Sequence, residues 1–276
     1  MTNRRACIAL ILTLTVWAVP SSAAPGHDSC AAPDEATAAQ TALPLVGEAL
    51  KPGGTLRVLA VGSATMFGPE AALAPGTLTS QALATRGPLR ASASVPFTQE
   101  ASEQAFPRQM GKALQEAVPG ARVEVTVRGG RGMTAVEMLV LIRTEITATK
   151  PQLILWQTGT VEAVRNSPPG EFGQVLLEGA EAAEQAGANL VLIDPQYSRF
   201  LQANSNLDPY TQAMQQAAML PGTLLFRRFD LMRGWASTGQ IDLERTPKAE
   251  RRHAVETLHA CIGAVLAKLV VTAARL

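Results

Sequence analysis

Two patterns of apolar residues alternate along the chain. Leu56–Val61, Leu153–Gln157 and Leu190–Ile193 are short, nearly unbroken apolar runs, with a briefer one at Thr223–Phe226. Runs of this length with β-branched residues predict strands buried on both faces. Arg122–Val127 reads as a further strand. Between the strands the spacing turns helical: Phe106–Val118 places Met110, Leu114 and Val118 on one face and stops at Pro119-Gly120. Thr134–Thr147 carries Met138, Leu139, Leu141 and Ile142; Gly173–Ala186 is closed by Gly187; Asp208–Leu220 follows. Thr246-Pro247 supplies an N-cap and first turn for a last helix running to about Ala274. Upstream, Cys30–Leu50 reads as an Ala-rich helix broken at Pro44 and packed outside the sheet. Strands alternating with helices predict an α/β fold: a parallel sheet with right-handed crossovers and helices on both faces. No internal repeat is visible.

The first strand runs straight into Gly62-Ser63-Ala64-Thr65, read as a tight turn. Open parallel sheets collect their ligands beyond the carboxyl ends of the strands, so any chemistry is expected near residues 62–68. Gly129-Gly130-Arg131-Gly132 and Thr158-Gly159-Thr160 read as turns at two further strand ends. Residues 68–100 break the regularity, being rich in Pro, Gly, Ala, Ser and Thr. A loop that long in a compact domain is either functional or a surface insertion, and both readings, a lid over the site and a mobile insertion, stand at this point.

The N-terminus belongs to a different pattern. Arg4 and Arg5 precede an apolar run from Ala6 to Val19 and a small-residue stretch ending at Ala24. This is the layout of a secretory signal peptide over residues 1–24, too short for a comfortable membrane span. Cys7 lies too early for a lipoprotein, and no other stretch reads as a bilayer span, so residues 25–276 are expected to be one exported domain, periplasmic or secreted. Removing Arg4 and Arg5 takes the formal net charge from +1 to −1. That balance has no basic patch for nucleic acid. Aromatics at 4% offer no broad stacking platform for sugars. Two cysteines remain, Cys30 and Cys261, and an even pair in an oxidising compartment reads as a disulfide. It would close a loop of about 230 residues and tie the N-terminal segment to the last helix, a structural rather than redox role.

Four segments at strand ends then line up: Gly62-Ser63-Ala64-Thr65-Met66-Phe67-Gly68, Arg128-Gly129-Gly130-Arg131-Gly132-Met133-Thr134-Ala135, Leu155-Trp156-Gln157-Thr158-Gly159-Thr160-Val161, and Glu250-Arg251-Arg252-His253. In order and spacing they resemble the four blocks of the SGNH (GDSL-type) hydrolase family. Trp156-Gln157 before the third block, Asp194-Pro195-Gln196-Tyr197, and a cysteine shortly after the fourth block add to the likeness, which spans nearly all of Cys30–Cys261. The resemblance implies a flavodoxin-like three-layer α/β/α sandwich with a central parallel sheet of about five strands. It also implies pairing of the late cysteine with one upstream of the first strand. In active members it implies serine esterase, lipase or carbohydrate acetyl-esterase chemistry.

That chemistry needs a serine nucleophile in the first turn, a histidine base and an acid three residues before it. It also needs an oxyanion hole from the serine N–H, a glycine N–H and an asparagine side chain. Anchored on Gly62 and Gly68, the nucleophile position holds Ala64, whose methyl cannot attack a carbonyl. Gly129 matches the oxyanion glycine and keeps an N–H, but the asparagine position holds Val161, which cannot donate. Losing one such donor costs about a hundred- to thousand-fold in rate. His253 matches the base through its distance from Cys261, and Glu250 stands where the acid belongs, amid Lys248-Ala249-Glu250-Arg251-Arg252, which resembles the solvated first turns of a helix.

Each residue also has a plainer reading. Ser63, and less so Thr65, would replace the nucleophile only if the turn slipped by a residue; otherwise Ser63 hydrogen-bonds within the turn. His253 is equally an exposed helix residue. His259 is expected to pack near Cys261, and His27 lies in a tail. Asp194 ends a strand and ties down a loop, and Arg227-Arg228 reads as a solvated strand end. Three scattered histidines give no metal signal, the Gly-rich segment lacks the Lys-Ser/Thr of a phosphate loop, and no cofactor is implied. The leading expectation is an exported SGNH-like protein without ester hydrolysis. It would keep a cleft of Gly62, Thr65, Gly129, Trp156, Gln157 and Gly159 for a small ester or envelope glycan. The alternatives are an active esterase using Ser63, His253 and Glu250, and a non-catalytic scaffold in the cell envelope.

Overall fold

A computed structural model describes residues 30–84, 90 and 93–275. The expected signal peptide and His27 lie outside the described residues. Six strands form one sheet: β1 (Thr55–Gly62), β2 (Val95–Pro96), β3 (Arg122–Arg131), β4 (Leu153–Gln157), β5 (Asn189–Ile193) and β6 (Thr223–Phe226). Their order is β2-β3-β1-β4-β5-β6. All pairings are parallel except that of β2, an antiparallel edge strand of two residues beside Gly130 and Arg131. The sheet therefore has one strand more than expected.

The two-residue period of a strand sorts the apolar runs into two cores. Leu56, Val58 and Ala60 of β1, Leu153 and Leu155 of β4, and Val191 and Ile193 of β5 share one core with α1 (Pro44–Ala49) and α4 (Phe106–Ala117), together with α10 (Arg228–Thr238) and α11 (Arg251–Ala274). Leu59, Val61, Ile154, Trp156, Leu190 and Leu192 face the other core, with α5 (Ala135–Thr149), α7 (Pro169–Gln185) and α9 (Asp208–Ala217). Because both faces are covered, these strands carry no polar alternation, which is why they were legible. The result is a three-layer α/β/α sandwich.

Several expectations are corrected. Pro44 starts α1 rather than breaking a helix, and Asp34–Ala36 is a single 3₁₀ turn. Gly129-Gly130-Arg131 continues β3 instead of turning. Residues 68–100 contain α2 (Pro69–Leu73), α3 (Leu78–Ala84) and β2. Three helices had no counterpart: α6 (Thr160–Arg165), α8 (Arg199–Asn204) and α10. Thr246 hydrogen-bonds the Asp242 carbonyl rather than capping, and a 3₁₀ turn, Lys248–Glu250, precedes α11. By length and composition Lys248–Ala274 could cross a bilayer, contrary to expectation, but much of it is buried in the core.

Arg228 is not solvated. It is 1% exposed and its Nε donates to the Asp194 carbonyl at 3.1 Å, while the Asp194 carboxylate accepts from Phe229 N at 2.8 Å at the start of α10. Burial pushes Asp194 up to about 7, against the pull of that N–H and of Arg228, and pushes Arg228 down to about 10. His259 is likewise buried, with Nδ1 accepting from Phe106 N at 3.2 Å. Burial, aided by the Arg228 charge, lowers it to about 3.

These two groups act on stability in opposite directions. In the unfolded chain His259 protonates near 6.5, but in the fold it stays neutral to about 3. Its contribution is complete above 6.5 and is lost as the pH falls toward 3. Asp194, whose folded value is raised, contributes stability below 3.8 that is lost as the pH rises through about 7. A comparison of variants separates them. The stability gap between the wild type and His259→Gln is expected to shrink by roughly 2–3 kcal/mol between about pH 7.5 and pH 4.5. Urea melts at the two pH values check this, and a constant gap would refute it.

Candidate functional site

The chain leaves β1 for β3 on one side of it and then crosses to β4 on the other, so the connections diverge at the carboxyl end of β1. A cleft with about 560 Å³ of empty space, partly open to solvent, lies there. Ser63, Ala64 and Thr65 follow β1; Arg131, Gly132 and Met133 end β3 and lead into α5; Gln157 to Glu162 end β4 and start α6; Gln196 follows β5. Gly76 and Thr77 before α3, Leu78 and Thr79 in its first turn, and Met138 of α5 add to the wall. The segment weighed as a lid thus contributes part of the cleft, and Thr79 Oγ1 holds it to Gln196 Oε1 at 3.2 Å.

The first turn is a 3₁₀ helix, Ala64–Phe67, entered through an extended Ser63. Ser63, Thr65 and Gln157 close a ring. Gln157 Nε2 donates to Ser63 Oγ at 2.8 Å and Thr65 Oγ1 donates to Gln157 Oε1 at 2.8 Å, with the two hydroxyl oxygens 3.4 Å apart. Since Thr65 gives its proton to the amide, any hydrogen bond between the two hydroxyls has Ser63 as its donor. An amide cannot take a proton from a hydroxyl as an imidazole does. Ala64 and Val161 also line the cleft, presenting apolar surface.

Glu162, which the sequence reading did not single out, organises two walls. Its Oε1 accepts from Ala135 N at 2.5 Å, and its Oε2 accepts from Gly159 N at 3.1 Å. One buried carboxylate therefore holds the N-terminus of α5 against that of α6. Burial raises its pKa, and those two N–H donors and Arg165 oppose the rise. Arg165 adds a bond to the Gly132 carbonyl at 3.0 Å.

Of the residues read as candidates, Ser63, Thr65, Gln157 and Gly159 line the cleft, as do Ala64 and Val161. Trp156 does not: it is fully buried in the core of α5 and α7, where a Cβ on Gly179 would overlap its indole. Gly62 and Gly129 lie behind the wall as register partners in the ladder, and the cleft glycine that follows β3 is Gly132, with φ +69°. His253 sits on the first turn of α11 with an 80% exposed side chain, 4.0 Å from Glu256, and lines a separate depression with Asp242 and Arg245. Glu250 ends the exposed 3₁₀ turn before that helix. Near the start of α11, Arg251 bonds the Leu83 carbonyl of α3 and Arg252 pairs with Glu70 of α2, so the helix start is tied to the α2–α3 segment. Among the described residues no histidine lines the cleft. The residues missed, Arg131, Thr158, Thr160, Glu162 and Gln196, share one signal: each stands at the carboxyl end of a strand or within the first turns beyond it.

A family model described as the non-GDSL lipase-like family matches residues 29–276. No curated protein matches the chain. Among solved structures, a putative lipolytic protein of the G-D-S-L family from Desulfitobacterium hafniense DCB-2 is 17% identical, with TM-score 0.50, covering 76% of this chain and 98% of its own. LAE5, an alpha/beta hydrolase enzyme from the metagenome of Lake Arreo, Spain, is 13% identical with TM-score 0.50, covering 76% of this chain and 96% of its own. A catalytic mutant of Axe2, an acetylxylan esterase from Geobacillus stearothermophilus, is 14% identical with TM-score 0.50, covering 74% of this chain and 91% of its own. At these identities the likeness speaks for the fold.

Proposed function

The chain belongs to the non-GDSL lipase-like family, and on that premise we propose an exported, SGNH-like protein that no longer hydrolyses esters and uses its cleft to bind a small ligand. One observation carries the reading: the two hydroxyls flanking the family's nucleophile position, on Ser63 and Thr65, are engaged with each other and with Gln157, and no histidine stands in the cleft wall among the described residues. Nucleophile, base and oxyanion donors act as a unit, so partial sets retain little of their effect. Ala64 supplies a methyl and Val161 an isopropyl group where that unit needs an oxygen and an amide. The Cys30–Cys261 bridge is compatible with export into an oxidising compartment.

The purified protein is expected to show no turnover of p-nitrophenyl acetate and no labelling by a fluorophosphonate. Ala64→Ser should remain inactive, since among the described residues no histidine lines the cleft to activate the new hydroxyl. Hydrolysis by the wild type that disappears in both Ser63→Ala and His253→Ala would overturn the reading in favour of an active esterase. The binding half predicts a rise in melting temperature with at least one member of a panel of sugars and acyl esters. A flat panel would favour the scaffold alternative instead.

A further inference from the structure

Among the described residues, two that line the cleft are ionisable, Arg131 and Glu162. Their situations differ. Both Glu162 oxygens are occupied by backbone N–H donors. Arg131 has no carboxylate within ion-pair distance among the described residues. Its Nη1 donates to the Pro75 carbonyl at 2.9 Å, and its Nε is buried without a partner. The edge of the guanidinium formed by Nε and Nη2 is thus unclaimed by the described residues. Nη2, unlike the buried Nε beside it, is reachable, and an arginine there is suited to pair with a carboxylate.

A second set of unmet groups lies in the wall of β4 and α6. Thr158 and Thr160 are each more than nine-tenths buried, and their Oγ1 atoms have no hydrogen-bond partner among the described residues. Buried polar atoms are seldom left so, and a ligand hydroxyl, directly or through water, would satisfy them. The remaining wall is apolar at Ala64, Met133 and Val161. Among the described residues no aromatic ring lines the cleft, so stacking does not hold a neutral sugar there.

We infer that the cleft recognises a small hydroxylated carboxylate, its acid group on Arg131 Nη2 and its hydroxyl-bearing body along Thr158 and Thr160. The inference rests on the cleft being a binding site and narrows the ligand class. The one cleft-lining cation among the described residues fits one carboxylate better than a phosphate dianion. The N–H donors at the starts of α5 and α6 that would otherwise attract a phosphate are taken by Glu162.

Calorimetric titration with D-glucuronate, its neutral methyl ester and D-glucose tests this. Wild-type protein should bind the acid at least tenfold more tightly than the ester or glucose. Arg131→Gln should bring acid and ester within twofold of each other, and Arg131→Lys should restore part of the preference, since it keeps the charge but not the fork. Thr160→Val should weaken acid and ester together, several-fold, without changing their ratio. Equal affinity of the wild type for acid and ester, a preference surviving in Arg131→Gln, or no binding of any of the three would each overturn the inference. Arg131→Gln that lowers only the melting temperature would also overturn it, leaving Arg131 as a tie to the Pro75 turn. Release of methanol from the ester is a separate signal: it would overturn the non-hydrolytic reading itself.

Discussion

Replacing Gly129 by alanine is expected to cost more than about 4 kcal/mol and to leave most of the protein unfolded or insoluble at about 37 °C. Gly129 is paired with Gly62 in the parallel β1–β3 ladder and has φ +136°, a conformation that residues with a Cβ rarely adopt. A Cβ placed there would overlap the Gly62 carbonyl oxygen and lie 2.9 Å from its carbon and 3.1 Å from the Gly62 nitrogen. These are backbone atoms of the central strand, so no side-chain movement relieves the overlap. The two strands would have to separate where eight consecutive pairs hold them. Gly132→Ala provides the contrast. Its φ of +69° is left-handed, which costs an alanine about 1–2 kcal/mol, and this variant should fold. Urea denaturation followed by circular dichroism measures both. A Gly129→Ala protein melting within a few degrees of the wild type would refute the assignment of this glycine to the ladder.

The same position marks the limit of what the sequence disclosed. Gly-Gly-Arg-Gly reads as a turn by composition, yet here glycine is required by close approach within a strand, a need set by Gly62 on a strand far upstream. β1, β4 and β5 were legible because burial on both faces leaves an unbroken apolar run. β2 was not, because two residues on an edge carry no periodicity. α10 begins at a buried arginine whose partner is a carbonyl 34 residues away, and a pair of arginines alone reads as solvated. In the site, the family spacing located Ser63, Ala64, Thr65, Gln157, Gly159 and Val161, since strand ends converge by topology. Trp156 does not belong with them, and strand parity held the answer: it and Leu155 point to opposite faces, and its neighbours Ile154 and Leu192 belong to the core of α5 and α7. Arg131, Thr158 and Thr160 shared their strand-end position with residues that do not line the cleft, so position alone did not single them out. What sets them apart is polar atoms left unmatched by their surroundings, a property of the folded arrangement.

Opening the Cys30–Cys261 bridge, by reduction or by changing both cysteines to serine, is expected to cost about 2–4 kcal/mol and to lower the melting temperature by roughly 5–15 °C. The bridge spans 231 residues, and for a loop of that length chain entropy alone would give about 5 kcal/mol. The smaller value follows from what still holds the N-terminal segment once the bridge is gone. Trp235 Nε1 donates to the Ala31 carbonyl at 2.7 Å, and Leu43 N donates to the Ala273 carbonyl at 3.0 Å. Ala32, Ala36 and Ala39 pack against the core that holds α10 and α11. These contacts survive reduction, although each becomes easier to break when the segment ends freely. The local prediction is therefore sharper than the global one. Amide exchange over residues 31–41 should accelerate well before that of β1 and β4, and α11 should loosen near Cys261, where the bridge had joined it to the N-terminal segment. A reduced protein with unchanged melting temperature and unchanged exchange over 31–41 would show that the packing of the segment, not the covalent link, sets its stability. Protein made in a reducing cytosol should lack this contribution and recover it on oxidative refolding.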